Sequence, residues 1–351
     1  MQYELLNYLK CPLSKTDLTF KLISEAKKNY DKKEITEIHE GLLFSETGFV
    51  FPVIDGIPRM LLEAIYDYKD FMQKHLPDYY DIKKKLEEKF PGLIHYCRKK
   101  NEKTKKSFEF EWSFLDAVKK DKIWEADVDE LGKIFLNETG QSSAYFEDKT
   151  IIDVGCGHGI MTARIAKISK LAIGVEISKA VENAYLKNTN SSAWYVQGDL
   201  QFLSFSASTF DVVYSSGVIH HTNNTELSLS LIETMLKKNG LICLWLYHPQ
   251  KNSIHNFMLF IRSIISKMPL KLTFWLLAIF IFPFTFLFKK IKNRKAINYR
   301  EEMIYLLDFF TPEFRFEITH DLATAWLQQR EYQNIQVTTS DQFGFSISAK
   351  K

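Results

Sequence analysis

A glycine-rich loop between an apolar run and a helical pattern constrains the fold of this chain more than any other feature. Residues 153–159 read Asp-Val-Gly-Cys-Gly-His-Gly. The run Ile151–Val154 predicts a buried strand that leads into the loop, and Ile160–Ile168 predicts a helix after it. Glycines at such a junction let the backbone turn sharply and approach a ligand without Cβ clashes. The N-terminus of the following helix offers unpaired N–H groups and a positive dipole end.

Strand and helix patterns alternate beyond the loop, which predicts βαβ units and a parallel sheet covered on both faces. Ligands of such sheets bind at the carboxyl ends of the strands. After a long interruption the chain ends in a helix and a strand pair. The predicted strands are Leu171–Val175, Trp194–Gln197, Asp211–Ser215, Leu241–Tyr247, Ile335–Thr339 and Phe345–Ala349, and the predicted helices are Lys179–Asn188, Thr225–Lys237 and Asp321–Arg330.

The loop by itself suits either a dinucleotide or another nucleoside-like ligand. A dinucleotide loop has Gly or Ala at its sixth position, where this chain has Ile160. Asp153, just before the loop, suits a ligand ammonium and disfavours a diphosphate. Glu176 closes the second strand, where a carboxylate accepts hydrogen bonds from both ribose hydroxyls. Asp199 ends the third strand, where a side chain reaches an adenine amino group. These features favour a nucleoside-like ligand that carries an ammonium over a dinucleotide.

Residues from about 149 to 250 resemble the class I S-adenosylmethionine-dependent methyltransferases of the ubiquinone/menaquinone type. The likeness lies in residues 152–159, 174–178, 198–200, 210–221 and 236–240; the last stretch reads Leu-Lys-Lys-Asn-Gly where the family has a Lys-Pro-Gly-Gly turn. The resemblance implies a Rossmann-like seven-stranded sheet whose last strand is antiparallel, and an enzyme that transfers a methyl group. The predicted cofactor-binding residues are Asp153, Gly155, Cys156, Gly157, Glu176, Ile177, Asp199, Leu200, Ser215 and Ser216.

The rest of the chain divides around this core, and the predicted fold class is α/β. We predict a small β-rich module at 1–62, a helical linker and lid at 63–148, the cofactor-binding core at 149–250, a basic apolar helical insertion at 251–318, and a C-terminal helix and strand pair at 319–351. The stretch Arg98–Lys106 holds six basic residues and one acid, which predicts a solvated connector. The aromatic stretch Phe108–Phe114 is either a core helix or a lid over the cofactor.

The first module resembles the short zinc-ribbon-like proteins that partner some methyltransferases, in residues 5–14 and 49–61. Zinc needs four ligands, usually paired cysteines. Only Cys11 remains, because Ser14 takes the second position of the pair and residues 43–48 contain neither Cys nor His. We therefore predict no metal, and a module that docks a partner or caps the substrate side.

The insertion combines apolar helices with a one-sided charge. No Asp or Glu occurs between Glu233 and Glu301, whereas residues 251–300 contain ten Lys or Arg. Apolar residues at helical spacing predict one stripe, made of Ile254, Phe257, Met258, Ile261, Ile265 and Met268, with Arg262 and Lys267 off the stripe. This composition suits an anionic membrane surface, to which each nearby basic residue contributes about 1 kcal/mol.

A transmembrane helix is a poor interpretation of this insertion. Residues 272–288 are uncharged but number 17 and include Pro283, whereas a span needs about 20 apolar residues. A single crossing would also separate the last helix and strands from the sheet that they complete. The remaining options are a shallow hairpin bent at Pro269, an in-plane helix pair, or a soluble lid or oligomer interface. We expect a peripheral contact with a membrane through 254–295.

The acceptor side of the site is less defined than the cofactor side. An oxygen acceptor needs a base, and His220 and His221 end the fourth strand beside the expected methyl position. His221 is the preferred base, His220 is the alternative, and Tyr247 is a further candidate from the fifth strand. A small or amphipathic acceptor (lipid-, isoprenoid- or glycan-linked) and O-methylation are expected. RNA methylation, and a cofactor-binding scaffold without catalysis, remain alternatives, although nucleic acid is the weaker partner because bulky aliphatics interrupt the basic segment.

Minor features of the sequence predict the cellular compartment and the redox state of the cysteines. The four cysteines are scattered without disulfide spacing, which fits a reducing, cytoplasmic environment. The first residues lack a basic start followed by an apolar run, so no signal peptide is predicted.

Overall fold

Eleven strands form one continuous sheet in the computed structural model, which describes residues 1–113, 128–250, 252–291 and 299–351. Their order across the sheet is β1-β2-β3-β4-β7-β6-β5-β8-β9-β11-β10. In chain order the strands are β1 (Leu18–Tyr30), β2 (Lys33–Ser45), β3 (Val50–Ile54), β4 (Ile57–Met60), β5 (Thr150–Val154), β6 (Leu171–Glu176), β7 (Ala193–Gly198), β8 (Phe210–Ser216), β9 (Leu236–Tyr247), β10 (Gln333–Ser340) and β11 (Gly344–Lys350).

Helices flank this sheet and build a separate cap beside it. They are α1 (Ala64–Asp67), α2 (Lys69–His75), α3 (Tyr79–Lys89), α4 (Leu93–Ser113), α5 (Val128–Thr139), α6 (Ile160–Ile165), α7 (Ala180–Lys187), α8 (Thr225–Glu233), α9 (Ser253–Ile265), α10 (Leu270–Leu276), α11 (Phe282–Ile291), α12 (Tyr299–Phe310) and α13 (His320–Gln329). A π-helical stretch, Leu277–Ile281, joins α10 to α11.

The centre of the sheet has the predicted α/β architecture. β7, β6, β5, β8 and β9 are parallel neighbours, and β11 pairs antiparallel with β9. Every residue of β5 and β6 is buried, as expected for parallel strands covered by helices on both faces. The predicted helix Thr225–Lys237 is too long. It ends at Glu233, and β9 begins at Leu236 because Leu236 pairs with Phe210 of β8.

The prediction of seven strands is wrong, because four N-terminal strands continue the same sheet. β4 pairs in parallel with β7, with Arg59 opposite Gln197 and Met60 opposite Gly198. β7 would otherwise leave its backbone groups unpaired at a sheet edge. The guanidinium of Arg59 is buried at this junction, 3.0 Å from Glu182 on α7. The N-terminal strands therefore brace the cofactor half of the sheet.

Hydroxyl groups surround Cys11 where a zinc ribbon would hold its metal. The Cys11 thiol lies 3.7 Å from the Thr47 hydroxyl, which is hydrogen-bonded to Ser45. Burial raises the pKa of Cys11, but hydrogen bonds from Ser14 and Ser45 outweigh it and lower the pKa below its usual value. Within the described ranges, no group of three or more His, Cys, Asp or Glu is arranged to hold a metal ion. The absence of zinc stays a prediction.

The insertion and α4 build a helical cap with its own apolar core. This core contains Ile265, Leu277, Met303, Leu306, Leu307 and Phe310, with Phe110 of α4 packed against it. The predicted stripe on α9 is divided, since Met258, Ile261 and Ile265 face this core whereas Ile254 and Phe257 are exposed. Arg262 is not on a solvated face. It is buried, and it donates hydrogen bonds to the carbonyls of Phe309 and Pro312.

Candidate functional site

The glycine loop lies at the carboxyl end of β5, against the neighbouring strand. The amides of Gly155 and Cys156 donate hydrogen bonds to the Val175 carbonyl, at 2.7 and 3.0 Å. Gly155 and Gly157 have φ values of +85° and +52°, which side chains rarely adopt. A Cβ on Gly155 would lie 2.3 Å from Val218. The loop therefore requires glycine both for its backbone and for its close packing.

Glu176 is held at the end of β6 by the loop that it faces. Its Oε2 accepts a hydrogen bond from the Gly157 amide at 3.1 Å, and its Oε1 accepts one from the Ser178 amide at 2.8 Å. The carboxylate is buried, and burial raises its pKa. Each oxygen keeps a lone pair directed away from the backbone, so the group can accept two ribose hydroxyl hydrogen bonds.

Asp199 ends β7 and accepts hydrogen bonds from two side chains of helix α4. Its Oδ2 accepts hydrogen bonds from Lys100 Nζ at 2.7 Å and from Asn101 Nδ2 at 3.0 Å, while Oδ1 accepts one from the Gln201 amide at 2.9 Å. The prediction that Arg98–Lys106 is a solvated connector is therefore wrong. Asn101 is 2% exposed, because this turn of α4 packs on the cofactor end of the sheet.

The aromatic stretch of α4 covers the glycine loop and the neighbouring histidine. The Trp112 ring stacks on His158 with centroids 5.1 Å apart, and a Cβ on Gly157 would lie 2.7 Å from the same ring. Phe108 contacts the His221 ring edge-on at 5.6 Å. The stretch is thus both a packed helix and a cover over the site. Phe114, its last predicted member, lies outside the described residues.

Burial raises the pKa of two acidic groups at the sheet end. Burial raises the pKa of Asp153 to about 7, although Thr162 donates it a hydrogen bond at 2.6 Å. Glu138 of α5, which the sequence analysis missed, also has its pKa raised to about 7 by burial, and it accepts a hydrogen bond from Tyr214 at 2.5 Å. A cationic ligand group would favour their ionised forms.

A cavity of about 1320 Å³ connects these groups. This volume exceeds the roughly 300–1,000 Å³ of a single small-molecule pocket, so it accommodates a cofactor and an acceptor together. Gly157 and Ser215 do not line it, since Trp112 covers Gly157 and Ser215 donates its hydrogen bond to the Val154 carbonyl at 3.0 Å. The predicted cofactor residues that do line it are Asp153, Gly155, Cys156, Glu176, Ile177, Asp199, Leu200 and Ser216.

A second polar cluster lies in the same cavity, beyond the end of β8. His221 Nδ1 contacts the Phe314 carbonyl at 3.0 Å, and its Nε2 lies 3.5 Å from Asp308 Oδ1. Tyr247 donates a hydrogen bond to the other Asp308 oxygen, and the Arg315 guanidinium lies 4.1 Å from the Tyr247 ring centre. Burial would raise the pKa of Asp308, but His221, Tyr247 and Arg315 outweigh it and lower the pKa.

The two predicted histidines occupy different environments. His221 lines the cavity, whereas His220 is fully buried behind it and packs on Tyr247 with ring centroids 4.2 Å apart. The Tyr247 amide donates a hydrogen bond to His220 Nδ1 at 3.4 Å. Burial, followed by repulsion from His221 and Arg315, lowers the pKa of His220 well below its usual value. A neutral, enclosed imidazole such as this one suits a structural position.

Glu111 is an acidic group in the cavity that the sequence analysis did not single out. It is 1% exposed, and its Oε2 has no hydrogen-bond partner within the part of the chain that the structure describes. Burial, together with repulsion from Asp308 and Glu176, raises its pKa well above the usual value. A lone acid between aromatics, as in Phe110-Glu111-Trp112, is the only sequence signal for it.

The strand order defines a Rossmann-like fold with acids at the ends of β5, β6 and β7, where such folds bind nucleotide ligands. Residues 152–244, 93 of the 351 residues, match the family model described as "Methyltransferase domain". About a quarter of the chain is therefore similar to this domain family.

Two curated relatives each match less than a third of this chain. A ubiquinone biosynthesis O-methyltransferase of Rhizobium etli is 25% identical over 105 residues, 29% of this chain and 42% of that protein. An uncharacterized methyltransferase of Mycobacterium bovis is 28% identical over 91 residues, 26% of this chain and 46% of that protein. The chain thus spans less than half the length of these curated relatives.

Among solved structures, an S-adenosylmethionine-dependent methyltransferase from Mesorhizobium loti is 13% identical. The alignment covers 64% of this chain and all of the other, with a TM-score of 0.41. The order and register of the strands identify the Rossmann-like fold.

The charges of the residues at the sheet end match those of S-adenosylmethionine. S-adenosylmethionine carries an ammonium, a sulfonium and two ribose hydroxyls, which match buried carboxylates, whereas a diphosphate would be repelled by them. The residues that would hold it are Asp153 at the amino-acid end, Glu176 at the ribose and Asp199 at the adenine.

Proposed function

We propose that this protein is a methyltransferase that transfers the methyl group of S-adenosylmethionine to an oxygen of an amphipathic acceptor. The observation that carries the proposal is the continuity of one cavity. Glu176 and Asp199 line one part of it, and His221 and Asp308 line another. When bound, the cofactor supplies an activated methyl group on a sulfonium. The remaining work of the chain is to orient the acceptor, remove its proton and exclude water.

His221 is suited to accept the proton of an acceptor hydroxyl. The Phe314 carbonyl can only accept a hydrogen bond, so Nδ1 of His221 carries the hydrogen and the lone pair lies on Nε2. Nε2 has no hydrogen-bond partner among the described residues, and it belongs to a side chain that lines the cavity. Asp308 Oδ1 lies 3.5 Å from Nε2, so a carboxylate faces the imidazolium that transfer of the acceptor proton would form.

Tyr247 acts on this base through Asp308. Its hydroxyl donates to one Asp308 oxygen and leaves the other directed at His221. Burial raises the pKa of Tyr247 well above its usual value, so the hydroxyl remains a hydrogen-bond donor. We therefore assign Tyr247 a positioning role. We assign His220 a structural role, since it does not line the cavity.

The apolar lining supports an acceptor with a lipid-, isoprenoid- or glycan-linked tail. Met258, Phe309 and Phe314 line the cavity on the side of the His221 cluster, and Phe288 lines it at the exposed surface. Such walls favour an apolar body with one reactive polar end. Nucleic acid fits this lining less well, because bulky apolar side chains interrupt the basic residues of the insertion.

The experiment is methyl transfer from methyl-labelled S-adenosylmethionine to fractions of a cell extract. We expect label in the organic phase, as a product of an amphipathic acceptor, and a matched loss of label with Asp308→Asn. Label that appears only in RNA would replace this proposal with RNA methylation. Binding of the cofactor without any labelled product in lipid, soluble or RNA fractions would favour a scaffold without catalysis.

A further inference from the structure

The cap carries an apolar surface that is open to solvent. Of the 23 large hydrophobic side chains that are exposed in the described part of the chain, 12 belong to α9, α10, α11 and the π-helical stretch. Monomeric soluble proteins rarely expose apolar patches of this extent unless the patch binds something. We call this set the exposed face of the cap; its members are Ile254, Phe257, Phe260, Ile264, Leu272, Trp275, Ile279, Phe280, Phe284, Leu287, Phe288 and Ile291.

The helix from Leu270 to Phe288 lies along the protein rather than projecting from it. With 19 residues and a mean hydropathy of 2.0, this helix has the length and composition to cross a membrane. Only 11% of it is buried inside the protein. Its other side packs into the cap core through residues such as Phe274, Leu277 and Phe282. Since β11 pairs with β9, the chain on both sides of the insertion belongs to one sheet. The helix therefore presents one side outward while the other stays packed.

Charge at the edges of the exposed face is of one sign. Lys267 and Lys271 are exposed beside the start of the long helix, and Lys290 is exposed at its end. The sequence adds Lys292, Arg294 and Lys295, which lie outside the described residues. No acid occurs in the sequence between Glu233 and Glu301. Apolar helices with a collar of Lys and Arg are complementary to an anionic lipid surface.

The cavity opens at this same face. Ile254 of α9 and Phe288 of α11 line the cavity while being 77% and 59% exposed, so they form part of its mouth. Met258 and Thr285 line the cavity just inside, on the same two helices. A molecule held in a lipid layer against the exposed face would thus meet the mouth without crossing water.

We infer that the exposed face of the cap docks in the plane of an anionic bilayer leaflet, and that the acceptor enters the cavity from the lipid between α9 and α11. The inference that this face docks on a bilayer does not depend on the proposed function. The entry route rests on the proposed function, since it assumes that the cavity methylates an amphipathic molecule.

Docking is tested by flotation of the full-length protein with phosphatidylcholine vesicles, with and without phosphatidylglycerol. We expect flotation with the anionic vesicles, weakened by salt because surface charge attraction is screened. The variant Trp275→Ser/Phe280→Ser/Phe284→Ser should reduce the bound fraction by about tenfold or more, because three aromatics leave the lipid. The matched control, Leu22→Ser/Leu186→Ser/Leu227→Ser, changes exposed apolar residues elsewhere and should float as the wild type does.

Insertion is tested by tryptophan fluorescence with brominated phospholipids. Trp275 is 61% exposed on the docking face, so its emission should be quenched, and Trp275→Phe should abolish the quenching. Equal quenching in Trp275→Phe would overturn the assigned face. Absence of flotation, together with a dimer that the triple serine variant dissociates, would replace the bilayer with a second copy of the chain.

Entry from the lipid is tested by comparing two forms of one acceptor. The triple serine variant should lose methyl transfer to an acceptor in vesicles by about the factor lost in flotation, yet retain transfer to the same acceptor in detergent micelles. Equal rates in vesicles for the variant and the wild type would overturn the entry route. Cofactor binding, measured separately by calorimetry, should be unchanged in the variant, so a failure of docking is distinguishable from a failure of the methyltransferase proposal.

Discussion

His221 Nε2 lies 3.5 Å from Asp308 Oδ1, although His221 follows the fourth strand of the core and Asp308 belongs to a helix of the insertion. The insertion therefore contributes directly to the cavity that the sheet begins. The cap therefore forms part of the cavity wall.

Replacement of His221 tests its assignment as the base. We expect His221→Gln to lower kcat by about 10²–10⁴-fold, since a positioned base contributes that much, with little change in the affinity for S-adenosylmethionine. His248→Gln is the matched control, because His248 makes hydrogen bonds to the Pro249 and Asp341 carbonyls and does not line the cavity. Steady-state kinetics with both variants make the comparison. An unchanged kcat in His221→Gln would remove the histidine from the mechanism.

Substitution in the glycine loop tests where the cofactor binds. Gly157→Val should abolish cofactor binding, because a side chain there would force Trp112 from its place and strain a backbone with φ of +52°. Gly132→Ala on α5 is the control, since a Cβ there meets nothing within 4 Å. Calorimetric titration of both proteins measures the effect, and full affinity in Gly157→Val would contradict the placement.

Asp153 predicts that cofactor affinity depends on pH. Its pKa of about 7 means that the cofactor-free protein holds a proton there below neutrality. An ammonium needs the ionised form, so affinity should rise by up to about tenfold per pH unit below pH 7 and level off above it, with release of a proton on binding. Calorimetry in buffers of different ionisation enthalpy measures both quantities. Asp153→Asn should bind weakly without this dependence, and a flat profile in the wild type would argue against the contact.

The buried carboxyl group of Glu111 predicts that the stability of the folded protein falls as the pH rises. Its folded-state pKa is raised well above 4.5, so its stabilising protonated form is present at low pH and is lost as the pH rises through the raised pKa. Glu111→Gln keeps the shape without the charge and should gain thermal stability over the wild type as the solution becomes alkaline. Glu109→Gln, at the exposed neighbouring acid, should follow the wild type. Thermal unfolding at mildly acid and alkaline pH measures the difference, and parallel curves for Glu111→Gln and the wild type would show that the carboxyl is not buried as described.

The core of the fold could be predicted because its signals are local. The loop at 153–159 and the apolar runs beside it specify strand, turn and helix within a few residues of each other. The pairing of β4 with β7 could not be predicted in this way. It joins residues near 60 to residues near 198. The sequence of a four-residue strand does not indicate which other strand it pairs with. The predicted seven-stranded sheet was wrong for this reason.

The positions of Glu176 and Asp199 were predictable, and those of the polar groups beyond β8 were only partly so; the roles of both sets stay predictions. Glu176 and Asp199 stand at strand ends, which the topology brings to one edge. Asp308, Glu111 and Lys100 lie on helices, where the sequence does not specify which face turns inward when both faces are apolar or both are charged. The packing of α4 and α12 against the sheet decides which face of each helix turns inward. That packing depends on contacts between segments that are far apart in the sequence.

We propose that the acids at the ends of β5, β6 and β7 bind a methyl donor and not a dinucleotide. Calorimetric titration of the purified protein with S-adenosylmethionine and, separately, with NAD distinguishes the two ligands. We expect saturable binding of one S-adenosylmethionine per chain, lost in Glu176→Ala, and no binding of NAD. Binding of NAD in the absence of any binding of S-adenosylmethionine would contradict it.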